Sequence, residues 1–126
     1  MVTTDISQLT AECNTWRTNL RQYREEFTHS KQSLLEVASR QNAKNTLQEI
    51  EHYHNQFHIQ LINIHDVKQA IKEHERIASW ELKSTSTISD GVWAKHEDLY
   101  EKYQSLDHTL KELKEDFSRF LQKNTS

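Results

Sequence analysis

Proline is absent from the 126-residue chain, and Gly91 is its single glycine. These two residue types form turns and end helices, so a chain with almost none of either has few places at which a helix can stop. An all-β or α/β domain of this length needs several of each for its turns. Charged residues make up 28% of the sequence, which is typical of long surface helices. The sequence therefore predicts an all-α protein.

The absence of a membrane span, a signal peptide and a basic block bears on where the protein is expected to act and on what it is expected to bind. No apolar run approaches the roughly 20 residues that span a bilayer. The first nine residues have neither the charged start nor the apolar stretch of a signal peptide. The single cysteine, Cys13, cannot form an internal disulfide, and the net charge of −3 gives little attraction to phosphate. We therefore expect a cytoplasmic protein that binds neither nucleic acid nor a membrane.

The apolar residues follow three heptad patterns, in which the spacing alternates between three and four residues. They predict helices at about 5–39, 46–83 and 90–122 within one domain, residues 1–126. Short breaks between long helices favour an antiparallel up-down-up bundle with coiled-coil-like packing. The predicted core positions are Ile6, Leu9, Cys13, Trp16, Leu20, Tyr23, Phe27, Ser30, Leu34 and Val37 in the first helix; Leu47, Ile50, His54, Phe57, Leu61, Ile64 and, less regularly, Val67, Ile71, Ala78 and Leu82 in the second; and Val92, His96, Leu99, Tyr103, Leu106, Leu110, Leu113, Phe117 and Phe120 in the third.

Two polar motifs predict where the first two helices begin. Asp5 is placed to cap the first helix, with Gln8 three residues later. Thr46 and Glu49 match a capping box, in which the threonine hydroxyl accepts a backbone N–H and the glutamate reaches back to the amide of Thr46. The polar segments 39–45 and 84–91 are the predicted breaks between helices.

The second helix carries a further line of apolar residues outside its predicted core side. The line consists of Ile59, Ile62, Ile77 and Trp80. A helix that is apolar on two sides is either covered on both or exposes a patch. One interpretation is that this helix lies in the groove between its neighbours, or that Trp80 meets Trp93 at one end of the bundle. The other is an interface, most simply in a two-fold homodimer, because Trp is enriched at interface centres.

Five of the eight histidines fall within residues 52–74, on the second helix. His54 and His58 are four residues apart, so both side chains can reach one ion. A Glu-x-x-His spacing, which occurs in carboxylate-bridged metal sites of helical bundles, ends at His54 and again at His29. Antiparallel packing places these groups at one level. The candidate site for zinc, iron or manganese consists of Glu26, His29, Glu51, His54, His58 and Asp116.

The alternative interpretation of the histidines is structural. Most of them would be solvated, with His54 and His96 as polar core positions that fix the register of the helices. A cluster of histidines can also make an interface respond to pH, since imidazole titrates near neutrality. Cys13 occupies a core position, where a thiol is expected to act as a small hydrophobe.

The second helix contains Glu51–Phe57, Ile64–Lys68, Ile71 and His74–Glu75. This segment, about residues 51–75, resembles part of small, uncharacterised all-helical proteins of Bacteroidetes-type bacteria. The resemblance implies a helical, cytoplasmic protein and no particular activity. In those proteins the segment more often has Gln where this chain has His54, and an acidic residue where it has His65. Spectrin-type repeats are similar in architecture, with three long helices and an early tryptophan like Trp16.

The sequence thus favours a non-enzymatic helical bundle that acts through protein–protein contacts and self-associates along its second helix. This hypothesis predicts no resident cofactor and no catalytic residues. The alternative is a metal-binding helical bundle that uses the six Glu, His and Asp side chains named above. It predicts a transition-metal ion at a fixed ratio to the chain.

Overall fold

A computed structural model describes residues 2–41 and 43–125 of the chain. It contains three helices: α1 (Val2–Arg40), α2 (Lys44–Thr85) and α3 (Asp90–Thr125). At 1.5 Å per residue, each helix is about 54–63 Å long. The helices extend a few residues beyond the predicted bounds, because few residues in the breaks oppose helix formation.

Contacts between the helices show how they run. Residue numbers rise together in contacting pairs from α1 and α3, whereas they run in opposite directions in pairs that involve α2. The pairs are Cys13–His96 and Tyr23–Asp107, then Arg17–Glu75 and Phe27–Phe57, and finally His74–His96 and Glu49–Lys123. The predicted all-α, antiparallel up-down-up bundle of three long helices is confirmed.

The core sides of α1 and α3 are those that the heptad patterns predict. All nine predicted positions of α3 are buried, including the polar His96. In α1, eight of the ten predicted positions are buried, and Ile6 and Ser30 are half-buried. Because the spacing alternates between three and four residues, one side of each helix stays turned inward along its whole length.

The core side of α2 differs from the predicted one. His54 is exposed, and Leu47 is 43% exposed, so both were wrongly assigned to the core. Gln60 and His74 are buried instead. Both are polar, so a prediction based on the spacing of apolar residues leaves them out of the core. The regular alternation of three and four residues runs through Ile50, Tyr53, Phe57, Gln60, Ile64, Val67, Ile71, His74 and Ala78.

The starts of the first two helices also differ from the prediction. Asp5 lies inside α1 rather than at its cap, since the helix begins at residue 2. α2 begins directly after Ala43, whose side chain forms no capping hydrogen bond. The predicted capping box is therefore wrong: Thr46 lies in the first turn of α2, and Glu49 binds a lysine of α3. Asn42, in the middle of the predicted break, lies outside the described residues.

The turn between α2 and α3 falls within the predicted Ser/Thr-rich break. Ser86 adopts a left-handed conformation with φ of 65°, and its N–H donates to the carbonyl of Leu82 at 2.8 Å. Ser89 caps α3, because its Oγ accepts the N–H of Val92 at 3.3 Å. The Ser89 hydroxyl in turn donates to the carboxylate of Glu81 at 3.1 Å. These bonds fix the start of α3 against the end of α2.

An aromatic layer fills the half of the bundle near the α1–α2 turn. It consists of one ring from each helix: Phe27, Phe57 and Phe117. The ring centroid of Phe57 lies 5.3 Å from that of Phe27 and 4.8 Å from that of Phe117. All three rings are at most 4% exposed. Edge-on and tilted contacts at these distances stabilise ring pairs beyond the burial of their area.

Candidate functional site

Four large apolar side chains lie in a line on an exposed side of α2. Ile59, Ile62, Ile77 and Trp80 are 45%, 49%, 41% and 65% exposed, and we call them the α2 outer face. Ile59 and Ile77 are 18 residues apart, as are Ile62 and Trp80. Eighteen residues make five helical turns, so the two pairs share one direction and lie about 27 Å apart along α2.

The chain's own helices do not cover the α2 outer face. The interpretation in which α2 buries a wide side against its neighbours therefore fails for these four residues. The contact that would close the end of the bundle is not formed either: Trp80 and Trp93 share no ring contact, both being residues that the structure describes. Trp93 is half-buried, with its ring edge-on to that of His96 at 5.7 Å.

A polar layer lies in the half of the bundle near the α2–α3 turn. It consists of Cys13 of α1, His74 of α2 and His96 of α3, which are 0%, 3% and 5% exposed. Nε2 of His74 lies 3.1 Å from Nδ1 of His96, and Sγ of Cys13 lies 3.9 Å from the same nitrogen. The sulfur and the two nitrogens all lie within 4.8 Å of one another. Each helix thus contributes one potential metal ligand.

Glu12 orients the ring of His96. Its Oε1 lies 3.0 Å from Nε2 of His96. Because a carboxylate can only accept, the neutral His96 ring carries its proton on Nε2 and presents a lone pair at Nδ1. The thiol of Cys13 and Nε2 of His74 both face this one lone pair. The protein alone therefore offers two potential donors for a single acceptor.

Aromatic rings enclose the polar layer. The ring of Trp16 stacks on that of His96 with centroids 4.8 Å apart and an angle of 27° between the planes. Trp93 closes another side of the same imidazole. These two rings reduce the contact of the His96 ring with water and lower the local dielectric, which strengthens the electrostatic interactions at the imidazole nitrogens.

Burial shifts the pKa values of two groups in the polar layer. It raises the pKa of the Cys13 thiol to about 12, and the negative charge of Glu75 adds to the effect. Burial also lowers the pKa of His74 from 6.5 to about 4, with the nearby His96 and Lys95 acting in the same direction. At neutral pH the metal-free protein therefore holds a thiol and a neutral His74 imidazole. Neutral imidazole binds metals directly, whereas a thiol must first release its proton.

The six side chains predicted to bind a metal are not brought together. Within the described part of the chain, the polar layer is the one group of three or more Cys, His, Asp or Glu side chains close enough to share an ion. Glu26 pairs with Lys114 at 2.6 Å, and Asp116 pairs with Arg119. The other four side chains are exposed: His29, Glu51, His54 and His58.

Sequence patterns contained part of the signal for the polar layer. Cys13 and His96 were both placed at core positions, but as a small hydrophobe and as a residue that fixes register. His74 was missed because the predicted register of α2 passed over it. A sulfur and two imidazoles at core positions of three different helices indicate a candidate metal site when the three residues lie at the same level along the bundle. To place the three helices at the correct relative height, one must know that Gln60 and His74, although polar, lie on the core side of α2.

Comparison of the chain with protein-family models, with curated proteins and with solved structures found no match. None of the helices over residues 2–40, 44–85 and 90–125 has the length and hydropathy needed to cross a membrane.

Proposed function

We propose that this chain is a non-enzymatic helical bundle that acts through protein–protein contacts and forms a homodimer along the α2 outer face. The observation that carries the proposal is the exposure of three isoleucines and one tryptophan on a single line of α2. Exposed apolar residues that are scattered singly are ordinary, whereas an aligned set marks a contact surface. Tryptophan in particular is enriched among the residues that contribute most to binding.

The spacing of the four residues supports a second copy of this chain as the partner. A two-fold interface must be self-complementary, since both copies present the same surface. If two α2 helices cross in opposite directions at Gln69 and Ala70, the Ile59–Ile62 pair of each copy meets the Ile77–Trp80 pair of the other. Both pairs have the same spacing of three residues and the same distance from this centre. The two apolar contacts form simultaneously.

The residues between the two apolar pairs are polar. Asp66 and Glu73 lie on the same side of α2 as the outer face, and both are exposed. Glu73 is already paired with Arg76 in its own chain, with Arg76 Nε 3.0 Å from the carboxylate. Because Arg76 neutralises Glu73, repulsion between the carboxylates at the centre of the proposed interface is reduced. In the antiparallel arrangement Asp66 of a second copy lies opposite Glu73, one helical turn from Arg76. We expect this central part to be solvated.

Substitution of both ends of the outer face tests the proposal. Ile62→Asp combined with Trp80→Asp is expected to convert a dimer into a monomer with unchanged helicity, because a charge at each apolar contact must be desolvated in the dimer but not in the free chain. Sedimentation equilibrium over a micromolar concentration series gives the mass, and far-ultraviolet circular dichroism gives the helicity.

The matched control is Leu35→Asp. Leu35 lies on α1 and is 65% exposed, which equals the exposure of Trp80. This variant is expected to remain a dimer. A wild-type chain that stays monomeric over the whole series contradicts the proposal, as does loss of helicity in the double variant, which would assign Ile62 and Trp80 to the core.

A further inference from the structure

We propose that the polar layer binds one divalent transition-metal ion of the zinc type, through Sγ of Cys13, Nε2 of His74 and Nδ1 of His96. The ligand set does not depend on the proposed homodimer, since all three ligands come from one chain and none belongs to the α2 outer face; the two proposals share only Ile77, which lines the groove that leads to His74. It also differs from the metal site expected from sequence patterns, with which it shares no residue.

Two of the three distances between ligand atoms in the layer are close to those of a metal-bound set. With Zn–N bonds of about 2.0–2.1 Å and a Zn–S bond of about 2.3 Å, a tetrahedral ion holds two nitrogens about 3.3 Å apart and a nitrogen and a sulfur about 3.6 Å apart. The nitrogens of His74 and His96 are 3.1 Å apart, and Cys13 Sγ is 3.9 Å from His96. The third pair, Cys13 Sγ and His74 Nε2, lies within 4.8 Å, and rotation of these side chains must bring the two atoms to about 3.6 Å.

The chemistry of the three ligands selects the ion. One thiolate and two imidazoles suit zinc, cobalt and related transition metals, whereas magnesium and calcium require oxygen ligands. No carboxylate belongs to the set; Glu12 lies beyond it, on the far nitrogen of His96. A carboxylate that accepts the second N–H of a metal-bound histidine fixes the tautomer and raises the basicity of the ring. Glu12 is therefore a positioning residue for this site.

Solvent has a route to the site. A groove of about 510 Å³ between α2 and α3 is lined by Ala70, Ile77, Val92 and Lys95, and it reaches His74. Three protein ligands leave one position of a tetrahedral zinc ion for water, as in zinc sites that are not closed by a fourth side chain. The groove is the path that we propose for the ion, since it reaches His74, one of the three ligands.

Binding is an exchange of a proton for a metal ion, with no change of oxidation state. The Cys13 thiol releases its proton to solvent as the sulfur–metal bond forms, and each neutral imidazole donates a lone pair. The ion also removes the competition between Cys13 and His74 for the lone pair of His96, because each of the three atoms then has its own bond to the metal.

Titration of the chelator-treated, full-length chain with Co²⁺ tests the site directly. We expect saturation at one equivalent per chain, a near-ultraviolet thiolate-to-cobalt charge-transfer band and the visible spectrum of a four-coordinate ion. Added Zn²⁺ is expected to displace Co²⁺, since zinc lies above cobalt in the affinity order for such ligands. Absence of the charge-transfer band in the wild-type chain overturns the proposal, whatever the variants do.

Three variants assign the ligands. Cys13→Ser is expected to abolish the charge-transfer band, and Glu12→Gln to weaken affinity by about 10–100-fold while the band persists. The control is the combined substitution His54→Ala and His58→Ala, which removes an exposed histidine pair with the spacing that binds ions on helix surfaces. It is expected to leave the one-equivalent site unchanged. Loss of binding in this control, with binding retained in Cys13→Ser, overturns the proposal.

Discussion

The aromatic layer and the polar layer occupy the two halves of one bundle, and each takes a single side chain from each helix. Their burial is the same: no residue of either layer is more than 5% exposed. Their chemistry is opposite. Phe27, Phe57 and Phe117 present only carbon and hydrogen, whereas the polar layer presents a sulfur and ring nitrogens whose protons must be accommodated.

The difference predicts how much each layer stabilises the metal-free fold. Full burial of a phenylalanine ring stabilises a protein by about 1.5–3 kcal/mol regardless of the charge state of its neighbours. The polar layer is held by hydrogen bonds among Cys13, His74, His96 and Glu12, and a typical hydrogen bond contributes only about 0.5–1.5 kcal/mol. We therefore expect the polar layer to contribute less to the stability of the metal-free protein, and the proposed ion to add to it when bound.

Truncation of the aromatic layer is expected to give the largest effect. Phe57→Ala removes a ring that is completely buried between two others, and we expect it to lower the free energy of unfolding by about 3–5 kcal/mol. Urea denaturation followed by circular dichroism measures the change. If Phe57→Ala lowers the free energy of unfolding no more than His74→Ala does in the metal-free protein, the aromatic layer is not the more stabilising of the two.

The polar layer is expected to make the stability of the metal-free protein depend on pH. The pKa of His74 is 6.5 in the unfolded chain and about 4 in the folded one, so the unfolded state binds a proton first as the pH falls. Stability is then full above about pH 6.5 and declines by about 3 kcal/mol on acidification to pH 4. Urea denaturation with a chelator present, at a series of pH values, measures this slope.

Two variants separate this slope from general acid denaturation. His74→Leu removes the titrating group and is expected to flatten the curve between pH 6.5 and 4. Phe57→Leu alters the aromatic layer and is expected to shift the whole curve downward with its slope intact. An unchanged slope in His74→Leu would mean that the burial of this imidazole does not control the pH dependence.

The smallest effect is expected at Gln60, which lies on the core side of α2 between the two layers. Its side chain is 7% exposed and accepts a hydrogen bond from Asn63 at 3.1 Å. Gln60→Leu extends the apolar surface, and the exposed Asn63 can bond to water instead. We expect a gain of about 0.5–1 kcal/mol in the free energy of unfolding. A loss would show that the polar core position is required for packing.

Much of the fold follows from the sequence because the heptad patterns of α1 and α3 contain few exceptions. His96 was placed correctly as a polar core position since apolar residues on both sides of it keep the register of α3. In α2 the predicted core takes His54 where Tyr53 faces inward, and Leu61 where Gln60 is buried. It also omits His74 between Ile71 and Ala78, both of which were placed correctly. An exposed histidine, His54, was thus predicted in the core, and a buried one, His74, was left out.

The candidate sites differ in how far the sequence reveals them. The α2 outer face lies on a single helix, and its four residues were identified from angular position alone. The polar layer requires the relative height of three helices, which depends on turn lengths and packing rather than on any local pattern. The capping box failed for a local reason: α2 begins at Lys44, two residues before Thr46, because neither Lys44 nor Asn45 prevents helix formation.

Elemental analysis of untagged protein, purified without chelators, tests the role of the polar layer most directly. The account predicts about one zinc-type ion per wild-type chain, retained in the His54→Ala, His58→Ala control and lost in Cys13→Ser. Less than a tenth of an ion per chain, persisting after incubation with excess Zn²⁺ and removal of the unbound metal, would contradict it. The polar layer would then be a buried hydrogen-bond network and nothing more.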